Sequence, residues 1–175
     1  MPEKNTPTIR LANLADCQLL ADLGARTFAE TFAVDNTPED MSAYLAASFS
    51  PEQLAAELND SLCTFLIADV QGIAAGYAML RAGEAASGIS GEKPIEIVRF
   101  YVSREWHGLG IGEGLMRGCI DQVRQRDYQT LWLGVWEHNA RARAFYRKWK
   151  FQDVGTHVFQ LGADLQNDIL MQRGV

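Results

Sequence analysis

Hydrophobic spacing changes several times along the chain, and each change marks an element. Thr8-Ile9-Arg10-Leu11 alternates and predicts a first strand. Leu19, Leu20, Leu23, Phe28 and Phe32 then recur at helical spacing through about residue 33. Thr37-Pro38-Glu39-Asp40 sets an N-cap threonine before a proline at the first helical position and opens a short helix through Leu45. Ser50-Pro51-Glu52-Gln53 repeats the device, with Gln53 closing a capping box, ahead of a helix carrying Leu54 and Leu58. Cys63 to Ala68 reads as a strand, Gln71-Gly72 as a turn, and Ile73 to Leu80 as the hairpin partner. Gly83 to Lys93, rich in Gly, Ala, Ser and Glu, reads as a mobile loop. Pro94 to Val102 is the central strand. Leu109 to Arg126 is a helix with Ile111, Leu115, Met116, Cys119, Ile120 and Val123 on one face. Thr130 to Trp136 is a short apolar strand, Asn139 to Lys150 a second amphipathic helix, and two strands close the chain near Val154–Leu161 and Asp168–Gln172. With no repeat, linker or low-complexity tract, residues 1–175 read as a single domain. Leading strands, then strand–helix–strand–helix, then strands, predict an α/β mixed sheet flanked by helices.

Composition narrows the function classes. At 47% hydrophobic, the chain can bury a sizeable core. No apolar run approaches the ~20 residues of a membrane span, and Met1-Pro2-Glu3-Lys4-Asn5 has no signal-peptide core. A formal net charge of −6 argues against nucleic-acid binding and suits a cationic substrate. Cys17, Cys63 and Cys119, odd in number and set among apolar neighbours, read as buried thiols in a reducing cytoplasm. No His/Cys/Asp cluster has metal-ligand spacing.

The first chemical signal is Val98 to Leu115: a strand, a polar turn, then Gly108, Gly110 and Gly112 at alternate positions before a helix. Such a loop lets main chain approach a ligand, and its N–H groups with the helix dipole make an anion pocket. The expectation is a phosphate-bearing cofactor; a glycine-rich helix start without a ligand is the alternative. A Walker loop is excluded because Glu113 follows Gly112, and a dinucleotide fingerprint fits weakly. The spacing resembles the (Gln/Arg)-x-x-Gly-x-(Gly/Ala) loop of GNAT-type N-acetyltransferases, which hold the pyrophosphate of acetyl-CoA. His107 stands where that family usually has Gln or Arg.

A second stretch, Asn139-Ala140-Arg141-Ala142-Arg143-Ala144-Phe145-Tyr146, resembles the GNAT pattern Asn-x-x-Ala-x-x-Phe-Tyr, with Lys150-Phe151 where the family has Gly-Phe. The resemblance implies the GNAT fold along essentially the whole chain: a mixed central sheet of about seven strands with splayed central strands. It implies acetyl-CoA held by main chain of Phe100, Tyr101 and Val102, by the loop His107, Gly108, Leu109, Gly110, Ile111, Gly112 and Glu113, and by Asn139, Tyr146 and Lys148. Asn139 would bond the pantetheine arm and the Tyr146 hydroxyl would lie beside the sulfur. Taken alone, Asn139 is also a helix N-cap and Tyr146 a core aromatic. Thr27-Phe28, Thr31-Phe32, Asn36 to Met41, Ala43-Tyr44-Leu45, Trp132 to Glu137 and Gly155-Thr156-His157-x-Phe159 are similar to the PaiA-type bacterial spermidine/spermine N-acetyltransferases.

Acetyl transfer to an amine requires the amine to lose a proton, at a cost of roughly 4 kcal/mol at pH 7 for an alkylammonium. Glu96 on the central strand is the expected base; alternation puts it on one face with Val98, Phe100 and Val102 unless a bulge intervenes. The alternative is a surface ion pair for Glu96. Tyr146 would be the general acid, and free N–H groups near Phe100 to Val102 would polarise the thioester carbonyl. Phe28, Phe32, Tyr77, Trp132 and Trp136 would wall a slot for a small-molecule amine, with Glu30, Asp35, Glu39 and Asp40 near its entrance. Core packing is the rival reading for Phe28 and Phe32. Cys119, on an apolar helix stripe, is a poor nucleophile, so transfer is expected to be direct. The same chemistry serves a protein N-terminus, a lysine-like amino acid or an amine antibiotic; a CoA-binding regulatory module is the rival from another class. Dimers are common in the GNAT fold, so a homodimer is compatible with the sequence.

Overall fold

The computed structural model describes residues 6–175. Its elements run β1 (Thr8–Leu11), α1 (Cys17–Phe32), α2 (Pro38–Ser48), α3 (Pro51–Asn59), β2 (Cys63–Val70), β3 (Ile73–Ala82), β4 (Pro94–Val102), α4 (Ile111–Gln125), β5 (Thr130–Trp136), α5 (Ala140–Lys148), β6 (Gln152–Leu161) and β7 (Asp164–Gly174). The strands make one seven-stranded sheet in the order β1-β2-β3-β4-β5-β7-β6. Neighbours are antiparallel except β4 and β5, which are parallel.

Local chemistry sets the boundaries. Thr37 Oγ1 accepts from Asp40 N–H and Ser50 Oγ from Gln53 N–H, each at 3.1 Å, so both X-Pro starts are true caps. Gln71 (φ 53°) and Gly72 (φ 85°) turn the β2–β3 hairpin with two left-handed residues, and the Asp69 carboxylate accepts from Gly72 N–H at 2.7 Å. The segment between β3 and β4 is tied down: Ser90 N–H donates to Gln172 Oε1 and Thr130 Oγ donates to Glu92 O.

Each sheet face has its own core. The α4 stripe of Leu115, Met116, Cys119 and Val123 packs on Ala78, Leu80, Ile95, Ile97, Leu131 and Leu133. On the other face Leu20, Phe28 and Leu54 from α1 and α3 meet Phe65, Ile67, Tyr77 and Met79. Each fully buried aliphatic side chain contributes about 2 kcal/mol. Across this second face the Arg99 guanidinium meets the Glu57 carboxylate at 2.7 Å, with the two side chains 12% and 11% exposed. Cys119 is buried, but Cys17 and Cys63 are half-buried, so the expectation of three buried thiols holds for one. Both lie at the first residue of an element, where the chain has just left the surface.

Simple alternation fails on β4. Met79 faces Arg99 but Leu80 faces Ile97, so Val98 is an extra, bulged residue. The bulge inverts the phase. Glu96 shares its face with Arg99 and Tyr101, not with Phe100 and Val102, which join the α4 core. Among the described residues no helix is long and apolar enough to cross a membrane.

Candidate active site

The β4–β5 ladder is short: Pro94, Ile95 and Glu96 pair with Thr130, Leu131 and Trp132. Beyond that point each strand keeps its outer antiparallel partner, β3 or β7, and the two diverge. A cavity of about 1300 Å³ opens between Ile97–Val102 on one side and Leu133–Trp136 on the other.

One end of this cleft is main chain. Gly108 (φ 77°) and Gly110 (φ 82°) are left-handed, and a Cβ at either would meet nothing within 4 Å. Gly110 caps α4, and its carbonyl accepts from Gly114 N–H at 3.1 Å. The N–H groups of Ile111, Gly112 and Glu113 therefore leave the first turn without intrahelical acceptors, and they carry the positive end of the helix dipole. His107 Nε2 lies 2.7 Å from Val102 O, and Nδ1 faces the Arg141 guanidinium. Arginine can only donate, so Nδ1 accepts and Nε2–H donates to the carbonyl. The ring thereby clips the end of β4 to the first turn of α5.

The floor comes from α5. Asn139 Oδ1 accepts from Ala142 N–H at 3.2 Å as the helix N-cap, and the residue lines the cleft. At the other end Lys150 N–H donates to Arg147 O, Phe151 N–H donates to Tyr146 O, and Lys150 adopts φ 70°. This is a Schellman stop, with Phe151 packed on Tyr146 at 5.7 Å between ring centroids. Lys150 thus does the work usually given to glycine, at a conformational cost of roughly 1 kcal/mol. Tyr146 also meets Phe100 edge-on at 6.1 Å. It is 7% exposed, and burial pushes its phenol well above the ordinary value, so it stays protonated.

The opposite wall is aromatic. Phe28 stacks on Tyr44 and contacts Phe32, each at 4.4 Å; Phe32 meets Trp136 at 5.8 Å and Tyr44 meets Phe159 at 5.6 Å. Trp132 lines the cleft; Tyr77 does not, being 0% exposed beneath Tyr101. Of the four entrance acids, Glu30 lines the cleft, but its carboxylate already accepts from Arg104 N–H at 3.0 Å. Asp40 accepts from Ala163 N–H at 2.9 Å, and Asp35 and Glu39 lie exposed outside the cavity. Two other carboxyls face inward. Burial raises Glu96, with Arg81 opposing, and burial raises Asp168 to about 6, with His157 opposing.

The sequence pattern of the family described as "Acetyltransferase (GNAT) family" matches residues 25–151. The chain belongs to the GNAT acetyltransferase family. It is 33% identical over 153 residues to an uncharacterized N-acetyltransferase of Lactobacillus delbrueckii subsp. lactis, covering 87% of this chain and 88% of the relative. An uncharacterized N-acetyltransferase of Mycobacterium bovis is 32% identical over 160 residues, covering 91% of this chain and 98% of that one. In fold the chain is similar to the PaiA N-acetyltransferase of Thermoplasma acidophilum in complex with coenzyme A, at TM-score 0.75, 20% identity and coverage of 97% and 99%. It is also similar to a ribosomal-protein-alanine N-acetyltransferase of Brucella melitensis, at TM-score 0.72, 25% identity and coverage of 96% and 99%.

The acetyltransferase uses acetyl-CoA, and its residues fit that molecule. The open space over Gly108 and Gly110, with free N–H groups at the α4 start, suits a diphosphate. Phe100, Tyr101, Val102, His107, Gly108, Gly110, Gly112, Glu113, Asn139, Tyr146 and Lys148 all line the cleft. Leu109 and Ile111, expected with them, do not line the cleft: Leu109 is 51% exposed on the outer side of the loop, and Ile111 is 1% exposed in the core. Sequence reasoning gave no role in the cleft to Arg141 or Asp168, nor to Tyr44 and Phe159, although the last two lie in the PaiA-like segments. Arg141 had a local signal, a cation in the first turn of the helix that faces the glycine loop. The other three reach the cleft through helix packing and strand register.

Proposed function

We propose that the enzyme acetylates a small primary amine of the polyamine class, such as spermidine or spermine, by direct transfer in a ternary complex. The observation that carries this reading is the wall of contacting rings, Phe28, Phe32, Tyr44, Trp136 and Phe159, with two inward carboxyls on the same cleft. A polyamine alternates cationic nitrogens with short methylene runs. Aromatic faces and carboxylates are the two surfaces that hold such a chain. The PaiA-type motifs of the sequence support the same class.

Acetyl-CoA supplies an acetyl group activated as a thioester. Main chain from Gly108 to Glu113 would hold its diphosphate and the Asn139 amide its pantetheine arm. Exposed main-chain groups of β4 near Phe100 to Val102 would orient the carbonyl. Tyr146, kept protonated by burial, gives its proton to the departing sulfur. The amine's proton passes to a carboxylate of the cleft. Burial pushes the Cys119 thiol up to about 12 under α4, so no thiolate forms there to carry the acetyl group.

An amine panel read by free-thiol release tests the substrate: spermidine, spermine, lysine, an amine antibiotic and a peptide N-terminus. The expected outcome is the highest kcat/KM with a polyamine; a preference for the peptide would overturn that class. CoA binding with no thiol release from any amine would favour a regulatory module. Tyr146→Phe is expected to lower turnover about 100-fold or more while calorimetric CoA binding survives. Unchanged turnover would remove the general-acid role.

A further inference from the structure

Asp168 lies on β7 opposite Trp136 of β5 and opposite His157 of β6. Its carboxylate leans along the same sheet face toward the rung two residues away: a Cβ on Gly134 would sit 3.2 Å from its Oδ2. Gly134 belongs to the part of β5 that has already parted from β4, so the carboxylate stands over the open section of the cleft. Three other acids on this side of the sheet are engaged, whereas Glu96 also lines the cleft without a hydrogen bond among the described residues. Glu57 holds Arg99, Glu30 accepts from Arg104 N–H, and Asp40 accepts from Ala163 N–H. Among the described residues no hydrogen bond or ion pair reaches Asp168's oxygens. The titratable groups that face it are His157 from β6 and Tyr44 from α2; β5 presents Trp136 and Gly134, which carry no charge. A half-buried carboxylate without a partner is costly, which suits a cation that arrives with the substrate.

We propose that Asp168 is the group that pairs with the acceptor's ammonium and takes its proton. The inference rests on the amine reading above. One proton moves from the ammonium to an Asp168 oxygen. The freed nitrogen lone pair forms the N–C bond as the C–S bond breaks, and the sulfur leaves with that electron pair and takes Tyr146's proton. The nitrogen's second proton goes to solvent and Asp168 then discharges its own. Solvent reprotonates Tyr146, so the net release is one proton. Glu96, expected as the base from sequence, lies instead at the closed end, where β4 and β5 are still paired and Arg81 is its cationic neighbour.

The test uses the amine that the wild type turns over best. Kinetics from about pH 5 to 10 are compared for Asp168→Asn, Glu96→Gln, His157→Gln and Gly134→Ala, with CoA affinity from calorimetry. Asp168→Asn is expected to lower kcat/KM at pH 7 by about 10²-fold to 10⁴-fold, with CoA affinity within twofold. The deficit should shrink as pH approaches the amine's own pKa, about 10, where free amine is present without help. The acid limb of the wild-type profile, centred near 6 by the burial of this carboxyl, should vanish in Asp168→Asn and persist in His157→Gln. An Asp168→Asn enzyme within threefold of wild type, or one that keeps the limb, overturns the proposal; so does Glu96→Gln showing the loss and alkaline rescue instead. If Asp168→Asn fails to bind CoA, Gly134→Ala decides, since its methyl would press on Oδ2. At least a tenfold loss in kcat/KM with CoA binding kept supports the role, and no loss overturns it. A wild type that prefers a different amine sinks the polyamine reading alone, whereas one that acetylates no amine sinks both.

Discussion

The two walls of the cleft are built in different ways. The cofactor wall is a continuous run of main chain from β4 through the glycine loop into α4, backed by one helix. The other wall, the proposed amine wall, gathers side chains from α1, α2, β5, β6 and β7. Main-chain geometry tolerates changes of side chain: His107 stands in a position usually Gln or Arg and still closes the loop by bonding Val102 O. A wall of side chains has no such tolerance, because each member arrives through its own register or packing contact. Cofactor use is therefore the durable property of this architecture, and acceptor choice the adjustable one.

Substitutions in the two walls should differ in size and in the property they change. Glu57→Gln should have the largest effect. It strands the Arg99 guanidinium inside the amine-side core and should cost about 3–5 kcal/mol in denaturant unfolding. If stability barely moves, the distinction between partnered Glu57 and partnerless Asp168 loses its force. Gly110→Ala should be milder and confined to the other wall. Space is open there, so the cost is the left-handed backbone, about 1–2 kcal/mol, seen as a CoA Kd weaker by about tenfold with an unchanged amine KM. A rise in amine KM instead would couple the walls. Lys150→Gly should be the smallest and of opposite sign. It relieves the left-handed lysine at the α5 stop and should raise stability by roughly 0.5–1 kcal/mol in thermal unfolding, without changing turnover.

Much of the cofactor wall was legible because its cues are local. Pro94–Val102 and Thr130–Trp136 keep the bounds that spacing predicts, and both X-Pro caps form. The amine wall was half legible. Phe28, Phe32, Trp132 and Trp136 line the cleft, yet Tyr77, on the same sheet face, is sealed beneath Tyr101. Alternation tells which face a residue takes but not what covers it. The bulge at Val98 leaves no trace in composition, and it moves Glu96 to the opposite face from the one expected. Asp168 and Phe159 depend on how β7 registers against β5 and β6, a long-range choice that spacing does not encode.

The partnerless carboxylate has a consequence for acid tolerance. Its folded value of about 6 lies above the roughly 3.9 of an unfolded aspartate, so this group favours the native state fully below pH ~4 and loses that contribution as pH rises through ~6. At neutrality the native enzyme is strained at the one carboxylate it would use for chemistry. Asp168→Asn should therefore melt later than wild type at pH 7.5 and alongside it at pH 4. A cationic acceptor should supply the same protection reversibly, so that the working enzyme is sturdiest when occupied.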